Sequence, residues 1–93
     1  MKQQPREGGS LFEKTKEMLP GQGILDLPRM NMLGNRYIEL ENHLGILSYS
    51  LTETVVALKT GELRIKGREL EISRIDREFF CLAGIIEEIH FRL

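Results

Sequence analysis

The chain predicts a small, mainly β domain: an antiparallel sandwich, barrel or β-roll of about seven to eight short strands behind one N-terminal helix. Three observations carry that expectation. From Ile24 onward, apolar residues alternate with polar ones at period two, the spacing of a strand with one buried face. Turn signals built from Gly, Asn, Pro and Ser recur at roughly eight- to twelve-residue intervals, the spacing of small all-β folds. No long helical pattern separates the strands, so parallel βαβ units are not expected.

The elements follow in order. The 93 residues allow one domain. Residues 1–9 are polar, contain Pro5, Gly8 and Gly9, and read as a loose tail ahead of a domain spanning 10–93. Ser10 and Glu13 fit a capping box that opens a helix over about 10–19. Its stripe is Leu11, Phe12, Thr15, Met18 and Leu19, and Pro20-Gly21 ends it. A helix of under three turns is marginal alone, so the stripe is expected to dock on something. The β-rich part covers 24–93. Ile24 to Leu27 leads into Pro28, Met30 and Met32 alternate with Asn31, and Gly34-Asn35 turns the chain. Ile38 and Leu40 then alternate with Glu39 and Glu41, Asn42-His43 turns again, and 45–49 and 55–59 read as further strands.

The stretch GELRIKGRELEI, residues 61–72, repeats Leu-x-Ile on either side of Gly67. It reads as two short strands around a bend, with Gly67 supplying a positive φ or a bulge. Leu63, Ile65, Leu70 and Ile72 face inward; Arg64 and Lys66 face water and pair across strands with Glu69 and Glu71. Residues 79–83 form another strand that ends at Gly84, and 87–93 alternate once more.

Composition narrows the function classes. There are 13 basic and 14 acidic residues, divided evenly between the halves of the chain, so neither half offers the excess that draws nucleic acid or anionic lipid nonspecifically. The single cysteine, Cys81, has no intramolecular partner and lies in an apolar run, which points to a reducing compartment. No stretch reaches the roughly 20 apolar residues of a membrane helix, and the N-terminal residues lack the apolar core of a secretory signal. A cytoplasmic location is expected.

Few side chains promise chemistry. Cys81 and His90, oriented by Asp76, form a nucleophile–base–acid set in principle, yet Cys81 is flanked by Phe80 and Leu82 and His90 falls on the water side. Glu39, Glu41 and His43 share one face if their strand continues, the arrangement of three metal ligands, although alternating charges usually mark a solvated sheet face. Gly21-Gln22-Gly23 lacks the rest of a phosphate-binding fingerprint. The basic residues Lys59, Arg64, Lys66, Arg68 and Arg74 have no aromatic among them, which an RNA-binding sheet would want. No catalytic residue, metal ligand or cofactor is assigned. The candidate partner contacts are Met30 and Met32, an adaptable apolar pair, with Arg64, Lys66 and Arg68.

Several phrases together resemble one family. Leu25-Asp26-Leu27-Pro28-Arg29, Gly34-Asn35, Ile38-Glu39-Leu40-Glu41-Asn42-His43 with Gly45-Ile46-Leu47, and the Leu-x-Ile-x-Gly-x-x-Leu-x-Ile of residues 63–72 are similar, in order and spacing, to the YabP/YqfC family of sporulation proteins, nearest its YqfC branch. The resemblance spans roughly residues 18–93. It implies a small protein of endospore-forming bacteria, made in the mother cell, with relatives tied to spore development or coat assembly. It further implies a membrane-bound sporulation partner of the YqfD type, and it transfers no catalytic residue. The expectation is therefore a non-enzymatic docking protein, cytoplasmic in the mother cell and brought to a membrane only through its partner, or one that self-assembles as a homo-oligomer. A small β-barrel nucleic-acid-binding module is the alternative, and a Cys/His enzyme ranks behind it.

Overall fold

The computed structural model describes residues 27–93. The tail over 1–9, the helix over 10–19 and the start of the β-rich part at 24 lie outside the described residues. Within them the chain is all-β. The strands are β1 (Arg29–Leu33), β2 (Tyr37–Glu41), β3 (His43–Tyr49), β4 (Glu53–Leu58), β5 (Gly61–Ile75) and β6 (Phe79–Arg92). They form one six-stranded sheet in the order β1-β2-β6-β5-β4-β3, with every neighbouring pair antiparallel.

Among the described residues there are six strands, where seven or eight were expected over the β-rich part, because two expected breaks are not breaks. The two Leu-x-Ile phrases belong to one strand, β5, and the chain runs through Gly84 within β6. These two long strands pair from Glu62↔Arg92 at one end to Ile75↔Phe80 at the other, with register shifts between Lys66 and Gly67 and between Arg68 and Glu71. Bulges of this kind bend a strand and deepen its twist. Here they divide the sheet into two wings. One wing holds β1, β2, the first part of β6 and the last part of β5; the other holds β3, β4 and the remaining parts.

The wings face each other. Ile38 and Leu40 on β2 share one buried cluster with Val56 and Leu58 on β4, although β6 and β5 separate those strands in the sheet. Leu63, Ile65, Leu70, Phe80, Leu82 and Ile86 complete the cluster. Each such side chain contributes about 1.5–3 kcal/mol by leaving water, so this shared layer is what holds the sheet curled.

The bend frees backbone groups that must find partners elsewhere. Two hairpin loops supply them. From the β3–β4 loop, Thr52 O accepts from Gly67 N (3.0 Å) and Leu51 O from Leu70 N (2.9 Å). From the β1–β2 loop, Arg36 O accepts from Gly84 N (3.1 Å) and Asn35 O from Ile86 N (2.7 Å).

Of the two alternatives expected at Gly67, the bulge is present, at the register shift between Lys66 and Gly67, and the positive φ is not. That conformation falls on Glu69 (φ 53°). What Gly67 provides is room: a Cβ there would sit 1.9 Å from Ile85 O, because β6 crosses it closely. Arg64 and Lys66 likewise cannot pair with Glu69 and Glu71, since all four lie on one strand. Their cross-strand neighbours are Val55 and His90 for Arg64, and Glu53 and Glu88 for Lys66.

Candidate functional site

The corner between β2 and β3 gathers polar side chains with defined partners. Asn42 adopts φ 73°, a conformation that Asn tolerates better than most residues, and so swings the chain from one wing to the other. Its amide donates to Glu78 O (3.1 Å) and its Nδ2 to Leu27 O (2.9 Å). His43 follows and turns inward, 8% exposed, with its ring edge-on to Phe80 at 6.3 Å. Gly45 N donates to His43 Nδ1 (2.9 Å), so that nitrogen carries the lone pair; His43 Nε2 then carries the hydrogen and donates to Asp76 O (2.9 Å). His43 therefore ties the start of β3 to the β5–β6 hairpin.

Asp76 builds that hairpin. Its Oδ1 accepts from Phe79 N (2.7 Å) and Glu78 N (2.9 Å), and its Oδ2 from Arg74 Nε (2.9 Å). The Phe79 amide foremost, then the Glu78 amide and the Arg74 guanidinium, hold the Asp76 carboxyl below its ordinary range against the opposing effect of desolvation. The Arg74 guanidinium also lies 4.5 Å over the Phe79 ring.

These contacts decide the sequence-level candidates. Cys81 is buried at 2%, but alternation turns it away from Phe80 and Leu82, onto the outer face of its wing. There a hydrogen bond with Cys81 pushes the Tyr37 hydroxyl up from its ordinary value. His90 lies in the other wing, with Nε2 at 2.8 Å from Glu88 Oε1, and this contact foremost holds the Glu88 carboxyl down. The set Cys81, His90 and Asp76 is not brought together. Neither is Glu39, Glu41 and His43: the left-handed Asn42 breaks period two, so His43 points into the core while Glu39 contacts Asn31 and Glu41 contacts Arg29. Among the described residues, no three His, Cys, Asp or Glu side chains converge as metal ligands would.

The candidate contact residues are spread over the molecule. Met30 packs against the core and Met32 is 39% exposed, both on β1. Arg64 and Lys66 share the outer face of the other wing, where Arg64 Nη1 meets Glu53 Oε2 at 2.9 Å. Arg68, at the bend, meets Glu87 at 2.9 Å. The outer face of that wing is thus a mixed-charge surface, in which Glu62, Glu53 and Glu88 alternate with Arg92, Arg64 and Lys66. Such exposed pairs add about 0–1 kcal/mol each and chiefly cancel one another's field.

Sequence reasoning passed over one surface. From Leu44 to Thr52 there are nine residues without a charge. Residues 44–49 run along β3, which lies at one end of the strand order, and 50–52 form the β3–β4 loop; Leu44, Leu47 and Leu51 are 59%, 61% and 62% exposed. The uncharged run was visible in the sequence, but its outward display was not, because it depends on bulges between His43 and Gly45 and between Ile46 and Ser48.

A curled antiparallel sheet of this size, pinned by a buried histidine and bearing a charge-balanced face, defines a small all-β domain built around its own core. Comparison with known proteins gives the kinship. The YabP family model matches residues 26–92, and a protein of Bacillus subtilis (strain 168), "Uncharacterized protein YqfC", is 36% identical over 73 residues, covering 78% of each chain. The chain belongs to the YabP/YqfC family.

Proposed function

We propose that this chain is a non-enzymatic interaction protein of endospore formation, which acts in the mother cell by docking on a protein partner. The observation that carries the reading is the structural employment of its reactive side chains. Both ring nitrogens of His43 are bonded, the Asp76 carboxylate closes a turn, and Cys81 is buried beside Tyr37. A catalytic group must instead reach a substrate. Family membership supports the sporulation setting through the resemblance set out above, and so does the expectation of a membrane-bound partner of the YqfD type. In the described residues no helix is long and apolar enough to cross a membrane, which leaves the membrane anchor to the partner in this reading.

The partner-contact residues of the proposal remain Met30, Met32, Arg64, Lys66 and Arg68, of which Met32, Lys66 and Arg68 are exposed and Met30 and Arg64 half-buried. The nucleic-acid alternative is weakened by the carboxylates standing against Arg64 and Arg68. The experiment is deletion and tagged complementation in a sporulating host, with pull-down and a count of heat-resistant spores. The expected result is a fall in spore yield and recovery of a membrane-bound protein. Normal sporulation without the chain, with nothing recovered on the tag, would overturn the reading.

A further inference from the structure

The His43 ring is tied on two sides, and the ties differ in kind. Nδ1 accepts from Gly45 N and Nε2 donates to Asp76 O, both at 2.9 Å. The first tie spans the register shift between His43 and Gly45, where Leu44 is the extra residue and Gly45 holds φ 121°. The second reaches the hairpin that joins β5 to β6. A neutral imidazole takes up a proton on the nitrogen that holds its lone pair. Here that nitrogen is Nδ1, and a charged ring has two donors and no acceptor. The Gly45 amide would then face a second N–H at hydrogen-bond distance. The bond to Asp76 O survives, since a charged donor strengthens it. The charged groups around the ring are engaged elsewhere. On β2, Glu41 meets Arg29 at 3.6 Å. In the hairpin, the Asp76 carboxylate is held by Phe79 N, Glu78 N and Arg74 Nε, and Arg77 and Glu78 complete the loop. On β4, Leu58 stands in register with His43, followed by Lys59, and β6 presents the Phe80 ring. Among the described residues no carboxylate forms an ion pair with His43.

We infer that His43 is a proton-operated latch on the first bulge of β3: a proton on Nδ1 releases the Gly45 amide while the ring stays bonded to Asp76 O. The proton comes from solvent and adds to the lone pair that the amide had used; no other covalent bond changes. The response is local. The Asp76 carboxylate keeps its three donors, so the hairpin stays closed. The ladder of β3 with β4 from Ile46↔Val56 onward is not part of the tie. What loosens is the stretch that turns Leu44 outward. Imidazole is the side chain whose charge ordinarily changes between about pH 5 and about pH 8, so mild acid operates the latch. The latch holds whether or not the chain docks on a partner.

Nitrogen-15 NMR on the full chain, stepped from about pH 8 to about pH 5, tests this directly. The chain carries His90→Gln, so that His43 is the one histidine in the spectrum. At the alkaline end the ring should show its hydrogen on Nε2. As the ring takes up a proton, the exchange protection factor of the Gly45 amide should fall about tenfold, the worth of one hydrogen bond, along the same titration curve. The Glu78 and Phe79 amides, held by the Asp76 carboxylate, are the internal reference and should not follow it. Circular dichroism should stay constant throughout. His43→Gln offers an acceptor that does not titrate, so its Gly45 amide should lose the pH response. Should that variant not fold, the comparison of Gly45 with Glu78 and Phe79 in the His90→Gln chain carries the test alone. A hydrogen on Nδ1 at about pH 8, a Gly45 amide indifferent to the charging of the ring, the same response in folded His43→Gln, or a ring that stays neutral until the sheet unfolds would each overturn the inference.

Discussion

Replacing Gly67 by alanine tests the central feature of the fold, the close crossing of β5 and β6 at the bend. The added Cβ would lie 1.9 Å from Ile85 O, 3.0 Å from Ile85 C and 3.1 Å from Ile86 Cα, all backbone atoms that no rotamer change can move. Ordinary contact begins near 3.4 Å, so the strands must part by about 1.5 Å. That stretches ladder bonds beside the bend past useful length. Two lost bonds cost about 1–3 kcal/mol, and loosened packing around Ile65 and Leu70 adds a comparable amount. The expected loss is about 3 kcal/mol or more, a large part of the roughly 5–15 kcal/mol of a typical domain. Urea unfolding followed by circular dichroism reads it as a fall in midpoint of about 1–3 M. Gly34→Ala is the control: nothing lies within 4 Å of its Cβ, and only its φ of +53° is at issue, worth about 1–2 kcal/mol. Asparagine, which accepts positive φ, should be milder than alanine at position 34 and no better at 67. Recovery of stability in Gly67→Asn, or a Gly67→Ala loss no larger than that of Gly34→Ala, would refute the close-crossing argument.

Two more perturbations address the corner and its hairpin. His43→Ala strands the Gly45 amide and the Asp76 carbonyl, so a destabilisation of about 2–4 kcal/mol is expected; thermal unfolding measures it, and a change under about 0.5 kcal/mol would remove His43 from its structural role. Asp76 has a carboxyl held below the ordinary value of 3.8, so it favours the folded state above that pH and loses the benefit as pH falls through its lower folded value. The stability difference between the native chain and Asp76→Asn should accordingly be full at neutral pH and shrink below pH 3.8, as followed by urea unfolding at stepped pH; a difference constant down to pH 2 or so would count against the hydrogen bonding assigned to the carboxylate.

The strand content and much of the core were legible because period two survives wherever a strand is regular. Ile38 and Leu40, Leu63 and Ile65, and Leu70 all land in the core as alternation requires. Element ends were less legible. A glycine inside an alternating run reads the same whether it ends a strand or lets another strand pass close by, and the second case holds at Gly67 and Gly84, where the obstructing atoms belong to residues far along the chain. Charge pairing failed for a related reason. Once residues 63–72 are one strand, the glutamates facing Arg64 and Lys66 must come from β4 and β6, and register across strands is not written in a local pattern.

The β3 edge shows how much a local irregularity can redirect. Unbroken period two from His43 would carry Gly45 and Leu47 to the core and leave Ile46 in water. The two bulges change the inward period to three. His43 is buried, Ile46 packs against the core, and the Tyr49 hydroxyl donates to Leu70 O across the bend. The residues passed over in that count are Leu44 and Leu47, one at each register shift, and both remain more than half exposed. Folding alone gives no reason for leucine at either place, since a bulge residue that buries nothing is served as well by serine or lysine. The same node that fixes the corner, His43 Nδ1 holding the Gly45 amide, sets the first of these bulges. Removing the His43 ring should therefore release the first bulge as well as lower stability.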